Sequence, residues 1–209
     1  MPPRVAPFGE RALLVTFADV IDPAANERAR ALADEWEARG IGPAVPAYAS
    51  ALLHFDPLAV AWSQALRLAR ALAERAPRAR RVRGQLHEVR VRYDGEDLAE
   101  VARLSRVSVA ELVALHAERD YVAYFLGFVP GFAYLGVLDP RIVAPRLSDP
   151  RARVPAGAVA VAGMQTAIYP RRTPGGWRVL GSTDVVLFDP HRAEPSLIRP
   201  GDRVRFVPT

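Results

Sequence analysis

The stretch that decides the fold of the second half of the chain is VPAGAVAVAGMQTAIYP, residues 154–170. Two short apolar runs flank Gly163, and this pattern predicts two β-strands joined by a turn at that glycine. Gln165, Thr166 and Tyr169 are polar groups within this otherwise apolar segment. They either orient a small amide or carboxylate ligand or satisfy backbone groups of the sheet, which is the commoner fate of such side chains.

This segment belongs to a part of the chain that is rich in turn-forming residues. Most of the 19 prolines and 14 glycines follow Tyr121, and short apolar runs alternate there with turn patterns such as those at 174–176 and 200–202. Many short strands separated by glycine and proline turns are typical of a β-barrel or a closed sandwich. The sequence therefore predicts a mainly β domain over residues 85–209.

A dense loop precedes these strands. Residues 124–136, YFLGFVPGFAYLG, contain three glycines, one proline and five aromatic side chains. Gly127 and Gly131 either let the backbone pass close to another group or adopt a positive φ. Exposed N–H groups there would receive an anionic oxygen, whereas the structural alternative is a tight turn packed with aromatic rings. The residues alone leave both interpretations open.

The N-terminal part of the chain predicts alternating strands and helices. Residues 11–17 show the alternation of a strand, and residues 47–55 predict a second strand. Between them, Asp22 is the predicted N-cap of a helix with Pro23 in its first turn, and Gly40 is its predicted stop.

A second helix is predicted to begin at Asp56-Pro57, with an apolar stripe that includes Leu58 and Trp62. The resulting β-α-β-α order predicts a small α+β sandwich, ferredoxin-like in style, over residues 1–84. The arginine-rich stretch 77–84 marks the predicted boundary to the second domain.

One histidine lies on a predicted helix near the start of the second domain. Ser108 and Glu111 have the spacing of a capping box, in which each side chain satisfies a free N–H group at the helix start. His116 shares the apolar face of this helix. It is either a hydrogen-bonded core histidine or a general acid/base.

Composition excludes several classes of chemistry. All 28 basic residues are arginine, and the chain has no cysteine. Without lysine there is no Schiff base, no Walker-A phosphate loop and no lysine that carries biotin. Without cysteine there is no thiol nucleophile, thiolate zinc site or disulfide. The four histidines lack the spacing of a helical metal site, so no metal site is predicted.

The charge and the N-terminus bear on partners and compartment. The net charge of +5 indicates either an anionic partner or an arginine-rich surface with solvated charges, and the second interpretation is favoured. The arginine cluster at 78–83 has no interleaved aromatic residues, so nucleic-acid binding is not predicted. Because no apolar leader or membrane-length apolar stretch is seen, we expect a cytoplasmic protein with no membrane partner.

Further motifs continue the pattern of residues 124–136 and 154–170. Together they resemble the KipI family, which includes the B subunit of prokaryotic 5-oxoprolinase, also labelled allophanate hydrolase subunit 1. The motifs are Leu138-Asp-Pro-Arg141, Pro145-Arg146, Pro150-Arg151, Pro174-Gly-Gly-Trp177, Leu187-Phe-Asp-Pro190 and Pro200-Gly-Asp-Arg-Val-Arg-Phe206. The resemblance is specific from about residue 115 to 208 and weaker before it.

This resemblance implies a fold, a reaction and partners. It implies a cyclophilin-like β-barrel after a small α+β domain. It implies an ATP-dependent enzyme, with Mg²⁺ in the assembled complex, that opens 5-oxo-L-proline to L-glutamate. The implied partners are the KipA-type C subunit and the LamB/YcsF-type A subunit of 5-oxoprolinase, with an active site shared between subunits. Two alternatives are a KipI-like inhibitor of a sensor histidine kinase and a component of a urea- or allophanate-processing system.

Four positions depart from the family pattern. Serine is usual where this chain has Ala158, glycine is usual at Met164 and Ala167, and arginine is typical at Ser182. If that arginine contacts phosphate or carboxylate in the family, this chain has an altered substrate or activity, or Arg178 takes its place.

The loops and the resemblance together define a predicted site. Its catalytic candidates are His116, Gln165 and Tyr169. Its predicted substrate- or nucleotide-binding residues are Gly127, Phe128, Pro130, Gly131, Tyr134, Gly163, Thr166, Gly176, Trp177, Arg178 and Thr183.

Overall fold

The computed structural model of the chain describes residues 2–76 and 84–209. The chain forms two compact units, Met1–Val82 and Arg83–Thr209. The arginine-rich stretch that predicts the domain boundary lies, over residues 77–83, outside the described residues. Among the helices of the described ranges, none combines the length and the apolar composition needed to cross a membrane.

The first unit consists of a four-stranded antiparallel sheet, with strand order β1-β2-β4-β3, and two helices. Its core is formed by the apolar stripes of the helices and one face of the sheet, and Trp36 and Leu53 are fully buried in it. The elements are β1 (Arg4–Pro7), β2 (Ala12–Thr16), α1 (Pro23–Ala38), β3 (Ala44–Pro46), β4 (Ser50–His54) and α2 (Trp62–Arg75).

The first predicted helix start is confirmed. The Asp22 carboxylate accepts a hydrogen bond from the N–H of Ala25 at 2.6 Å, which satisfies one of the free donors at the start of α1. Gly40, just beyond the end of α1, has a φ of 68° and donates its N–H to the carbonyl of Glu37. This is the left-handed conformation that makes glycine a common helix stop.

Two other predictions for this unit are wrong in their bounds. The strand predicted over residues 47–55 begins three residues later, as β4 at Ser50, because the N–H of Ala47 bonds the carbonyl of Ser50 in a turn that separates β3 from β4. The helix predicted from Asp56 begins only at Trp62. Asp56 instead accepts the N–H of Leu58 in a turn, and the Leu58 side chain is 96% exposed.

The second unit is mainly β, as predicted. Its seven-stranded sheet has the order β12-β9-β10-β7-β6-β13-β5, and a β11-β8 ribbon lies apart from it. The elements are β5 (Leu86–Val91), α3 (Leu98–Ser105), α4 (Val109–Ala117), β6 (Asp120–Leu126), β7 (Ala133–Gly136), a 3₁₀ turn (Pro140–Ile142), β8 (Arg151–Val154), β9 (Ala158–Ala162), β10 (Gln165–Ile168), β11 (Thr173–Gly175), β12 (Arg178–Ser182) and β13 (Arg203–Pro208).

The two edges of this sheet meet, so that it is nearly closed. Arg92, which follows β5, forms an antiparallel bridge with Ser182 at the end of β12. The N–H of each residue donates to the carbonyl of the other, at 2.9 and 2.8 Å. A closed sheet has no unpaired edge, and the result is a barrel-like wall with two distinct faces.

Side chains alternate between these two faces. The interior face holds the larger core, lined by residues of all seven strands together with α3 and α4, and includes Val159, Val161 and Ile168. The outer face of β7, β9, β10 and β12 holds a second, smaller apolar cluster that includes Ala160 and Ala167. The predicted turn at Gly163 is confirmed, because β9 and β10 pair directly on either side of it.

Candidate functional site

The outer face of the barrel wall carries small side chains beneath a group of aromatic rings. Ala158, Ala160, Ala162 and Ala167 are all buried there. We name the rings the aromatic cluster; its members are Phe128, Phe132, Tyr134, Tyr169 and Trp177. Alanine at these four outward positions leaves the space that the rings fill, since a larger residue would displace them.

Phe132 is the centre of the aromatic cluster. Its ring centroid lies 5.0 Å from that of Tyr134, 5.4 Å from that of Tyr169 and 5.6 Å from that of Trp177, in edge-to-face arrangements. These are the distances and orientations at which aromatic pairs attract each other beyond their buried area. The five rings therefore pack as one connected group on the outer face.

Phe128, in the predicted loop over residues 124–136, lies at the edge of the aromatic cluster. The Phe128 side chain is 57% exposed, and its φ of 67° is unusual for a residue other than glycine. Gly131 has a φ of 80°, and a side chain there would collide with Phe188. Gly127 differs from expectation: it has no positive φ, and a Cβ would meet only the rings of Tyr134 and Phe125 at ordinary distances. Pro130 is exposed between the two glycines.

Tyr169 brings a hydroxyl group to this outer face. Its ring is buried, and a side chain at Gly175 would overlap its hydroxyl, so the chain must have glycine at that position. Burial raises the pKa of Tyr169, an effect opposed by the nearby backbone of Trp177 and by the charge of Arg146. The phenol therefore stays protonated at neutral pH and is a hydrogen-bond donor.

Gln165 lies on the same face of β10 as Tyr169, because side chains two and four positions apart point the same way. It pairs with Ala162 of β9 and Gly136 of β7 and is partly exposed. Its amide makes no hydrogen bond with another described residue. It therefore has both donors and its acceptor available for a ligand.

Trp177 and its neighbours close one side of the cluster. Gly176 accepts the N–H of Leu147 through its carbonyl at 2.8 Å. The Nε of Arg178 donates to the carbonyl of Pro145 at 2.9 Å. The guanidinium of Arg146, between those two anchored residues, lies 5.8 Å from the centre of the Trp177 ring. The sequence motif Pro174–Trp177 thus holds a second motif, Pro145-Arg146, in place.

The structure places His116 on the other side of the wall. It is fully buried among interior residues and stacks on Phe206 at 4.6 Å. Its Nδ1 lies 2.7 Å from the Tyr93 hydroxyl and its Nε2 lies 3.0 Å from Oγ1 of Thr166. Burial lowers the pKa of His116 to about 3. The imidazole is therefore neutral at physiological pH, with both ring nitrogens hydrogen-bonded.

The partner of His116 on β10, Thr166, fixes the direction of this chain of hydrogen bonds. Thr166 donates its hydroxyl hydrogen to the carbonyl of Ala160 at 3.1 Å, so its oxygen is free to accept from His116 Nε2–H. Nδ1 then accepts from the Tyr93 hydroxyl. We name Tyr93, His116 and Thr166 the interior relay. It braces the strand whose opposite face carries Gln165 and Tyr169.

The predicted binding residue Thr183 and its neighbour Ser182 lie away from the aromatic cluster. Thr183 is buried against Gly157, whose carbonyl accepts the Thr183 N–H at 2.9 Å. Ser182 donates to Asp94 at 3.0 Å and accepts from Arg92, which in turn bonds Asp184. Ser182 thus belongs to a surface ion-pair group at the closure of the barrel.

Sequence reasoning missed the residues that support the outer face. Asp97, which is buried, accepts the N–H of Val179 at 2.7 Å and Nη2 of Arg151 at 2.8 Å. It therefore holds β12 and β8 together. Partners that lie 82 and 54 positions apart produce no local pattern, whereas the local arginine density around Arg146 was visible in the sequence.

The described residues also bear on metal binding. Nowhere in residues 2–76 and 84–209 do three or more histidine, aspartate or glutamate side chains come together in a way that would hold a metal ion. The side chains around the aromatic cluster are instead arginine, tyrosine and glutamine, which suit an oxyanion or amide ligand.

Comparison with known proteins gives a family match and a relative that is similar over nearly the whole chain. The family model of the carboxyltransferase domain, subdomain C and D, matches residues 3–198. The chain is 36% identical over 221 residues to the B subunit of 5-oxoprolinase from Bacillus subtilis (strain 168), an alignment that covers 98% of this chain and 92% of that protein.

Solved structures extend the comparison. The crystal structure of TTHA0988 matches with a TM-score of 0.82 and 44% identity over 96% of this chain, which spans only 40% of the length of TTHA0988. The urea amidolyase of K. lactis matches with a TM-score of 0.80 at 18% identity, covering 99% of this chain and 15% of that one. The second likeness concerns the fold alone.

Proposed function

This chain belongs to the family of the carboxyltransferase domain, subdomain C and D, and from that premise we propose that it is the B subunit of an ATP-dependent 5-oxoprolinase. The complex would open the lactam of 5-oxo-L-proline to L-glutamate. The observation that carries this proposal is the similarity to the 5-oxoprolinase B subunit of Bacillus subtilis over nearly the whole length of both proteins.

The chemistry of the reaction explains why ATP is needed. A lactam carbonyl is a weak electrophile. Transfer of the terminal phosphoryl group of ATP to the carbonyl oxygen converts that oxygen into part of a leaving group. Water then adds to the carbon, and the ring C–N bond breaks as a proton passes to the nitrogen, which leaves an acyl phosphate. A second water hydrolyses the acyl phosphate to glutamate and phosphate, and ADP is the other product. The contribution of the protein is to position the reactants and to stabilise the developing negative charge.

We assign the ligand-facing part of this chain to the outer face of the barrel wall. Gln165 has a partly exposed amide, and Tyr169 has a buried, protonated phenol that is hydrogen-bonded to the Trp177 backbone. Both groups suit a lactam or a phosphorylated lactam oxygen. The binding residues at the rim would be Phe128 with its loop, Tyr134, Gly176, Trp177 and Arg178.

His116 takes a different role in this proposal. Because it is neutral, fully buried and engaged at both nitrogens, we propose that it acts through Thr166 by holding β10 in register. Gln165 and Tyr169 then remain the two candidates for direct contact with the reacting groups.

The active site is proposed to be shared with two partner subunits, one of the KipA type and one of the LamB/YcsF type. The chain has no lysine, so phosphate contacts from it must come from arginine or backbone N–H groups. The described residues do not fit a Mg²⁺ site, and we derive no step through the metal from this chain. The proposed location of the complex is the cytoplasm.

We also propose that the first domain is ferredoxin-like, that the second is a cyclophilin-like barrel, and that the boundary between them lies at residues 84/85. The strand order β1-β2-β4-β3, with α1 joining β2 to β3 across the intervening β4, supports a ferredoxin-like arrangement of the first domain. The nearly closed sheet flanked by α3 and α4 supports a cyclophilin-like barrel for the second.

The proposal is tested by reconstitution. This chain is co-expressed with subunits of the KipA and LamB/YcsF types from the same genome, and ATP hydrolysis and glutamate release are measured with and without 5-oxoproline. We expect turnover that requires all three chains. A verified three-chain complex with no 5-oxoproline-dependent turnover would overturn the proposal. Ammonia and CO₂ release from a urea derivative would favour the urea-processing alternative instead.

Site variants refine the test within an active complex. Tyr169→Phe keeps the ring and removes the hydroxyl, and we expect kcat to fall about 100-fold if the phenol stabilises the developing oxyanion. Tyr134→Phe removes a second hydroxyl of the same cluster, and comparison of the two variants shows whether the loss is specific to Tyr169. Equal effects of the two variants would contradict a specific role for Tyr169.

A further inference from the structure

The positive charge of this chain is concentrated in one segment. Residues 143–181 contain six arginines and one aspartate, so this segment carries a formal charge of +5. The remaining 22 arginines are matched by 22 acidic residues. The whole net charge of the chain therefore comes from the segment that forms β8 to β12 and the outer face with its aromatic cluster. A local excess of one sign raises the concentration of oppositely charged ligands nearby.

Within this segment, Arg146 has a fixed backbone and a free guanidinium. The residues on both sides of it are tied to the Gly176–Arg178 turn by the hydrogen bonds of Leu147 and Pro145. Its side chain is exposed, lies over the Trp177 ring and forms no ion pair with any described residue. Its charge also acts on the phenols of Tyr134 and Tyr169.

A second arginine near the same phenol also has an unused donor. Arg151 donates a hydrogen bond to Asp97 through Nη2 and forms an ion pair with Glu96 through Nε, both at 2.8 Å. Its Nη1 is buried and has no hydrogen-bond partner among the described residues. Arg151 pairs across the β8–β11 ribbon with Gly175, the position at which a side chain would overlap the Tyr169 hydroxyl. A buried guanidinium donor without an acceptor is uncommon, because its desolvation is not compensated.

We propose that Arg146 is the anchor of an oxyanion-binding site at the rim of the aromatic cluster. A guanidinium binds a carboxylate or a phosphate through two parallel hydrogen bonds, and the Trp177 ring holds it in place. The oxyanion is either the carboxylate of the lactam substrate or a phosphate of the nucleotide. This inference rests on the proposed function for the identity of its ligands, and it adds a residue outside the predicted site.

The test uses the assembled three-chain complex and three variants. Arg146→Met removes the charge and keeps the size of the side chain. Arg146→Lys keeps the charge and removes the two parallel N–H donors of the guanidinium. Arg153→Met removes a charge from an exposed position of the same segment that contacts no aromatic ring. The KM values for 5-oxoproline and for ATP are measured separately, and binding of each compound is measured by equilibrium dialysis without turnover.

We expect Arg146→Met to weaken binding of one compound about 10-fold, with Arg146→Lys intermediate and Arg153→Met within about 2-fold of wild type. A change confined to 5-oxoproline identifies the carboxylate as the ligand, and a change confined to ATP identifies the phosphate. Affinities unchanged in Arg146→Met, equal losses in Arg146→Met and Arg153→Met, or failure of Arg146→Met to assemble with its partners would each overturn the inference.

The two proposals fail in distinguishable ways. If the wild-type complex has no turnover, the proposed function fails, and dialysis still decides whether an oxyanion compound binds through Arg146. If the wild-type complex turns over and the Arg146 variants match it, the proposed function stands and the anchor is wrong.

Discussion

The two faces of the barrel wall use polar side chains in opposite ways. On the interior face, the hydroxyls and ring nitrogens of the interior relay are all hydrogen-bonded to one another or to the Ala160 carbonyl. On the outer face, Gln165 has no hydrogen bond to a described residue, and Arg146 has no ion pair with one. The same strand, β10, contributes Thr166 to the first face and Gln165 to the second.

The polar groups of the interior face therefore support the fold, whereas those of the outer face are available to bind a ligand. A buried polar network whose members are all satisfied makes a strand rigid, because each group is costly to unpair. A polar group left without a protein partner near the surface is available to a ligand at no such cost. We therefore expect substitutions on the interior face to change stability and those on the outer rim to change binding.

The largest effect should come from the interior relay. His116→Ala leaves a cavity and removes the partners of Tyr93 and Thr166, so we expect a loss of about 3–5 kcal/mol in the free energy of unfolding. Gln165→Ala, on the opposite face of the neighbouring strand, should change it by about 0.5 kcal/mol or less. Chemical denaturation of both variants measures the difference. Similar losses for the two variants would show that the faces do not divide in this way.

The support of the outer face gives the next largest effect. Asp97→Ala unpairs the N–H of Val179 and leaves Arg151 without its buried partner. We expect a loss of about 2–3 kcal/mol, reduced from that of a fully buried pair because the Arg151 side chain is 23% exposed. Asp94→Ala removes a carboxylate that is 61% exposed and should cost about 0.5 kcal/mol or less. If the two variants unfold alike, Asp97 does not hold the ribbon to the barrel.

Local sequence signals predicted the local features of this fold. The N-cap at Asp22 and the capping box at Ser108, whose hydroxyl accepts the N–H of Glu111, depend on residues three positions apart. The hairpin turn at Gly163 depends on one glycine between two apolar runs. Such signals are readable because the interacting groups are close in sequence.

The same signals failed where tertiary packing decided the outcome. Asp56-Pro57 has the pattern of a helix start, yet Asp56 caps a turn and α2 begins later. His116 lies on an apolar helix face whether it is a hydrogen-bonded core histidine or a general acid/base. Only its hydrogen bonds with Tyr93 and Thr166, 23 and 50 positions away, distinguish these two interpretations. Four of the five rings of the aromatic cluster are among the predicted site residues, and their role in binding stays a prediction. The side of the wall on which each residue lies depends on strand register. Register was not available from the sequence alone.

A smaller effect of the interior relay is that the free energy of unfolding should depend on pH. Burial lowers the pKa of His116 to about 3, below its ordinary value of 6.5. The unfolded chain therefore binds a proton between these values that the folded chain does not. This stability is fully present above pH 6.5 and is lost as the pH falls toward 3. Between pH 7.5 and 5.5 the loss should be about 1.4 kcal/mol.

The matched variant for this prediction is His116→Gln, which keeps hydrogen-bonding capacity and does not titrate. Between pH 7.5 and 5.5, the free energy of unfolding of this variant should fall by about 1.4 kcal/mol less than that of the wild type. Parallel pH profiles for the two proteins would mean that His116 has the same pKa in the folded and unfolded states, and the neutral imidazole of the interior relay would be wrong.

The smallest effect on stability is expected at Phe128, and it tests the outer face most directly. The ring is 57% exposed, touches Phe132 edge-on at 5.4 Å, and belongs to a residue held at a positive φ. A residue other than glycine in this conformation is strained, and such strain tends to occur at functional sites.

Phe128→Ala should change the free energy of unfolding by about 0.5 kcal/mol and raise the KM for 5-oxoproline about 3-fold, because the ring would lose apolar contact with the ligand. Phe128→Gly relieves the strain and should be equally stable or slightly more stable while losing the same contact. Thermal unfolding and KM measured on both variants decide the matter. A loss of more than about 1 kcal/mol in Phe128→Ala would place the loop in the core, and the division of the wall into a supporting face and a binding face would not hold at its rim.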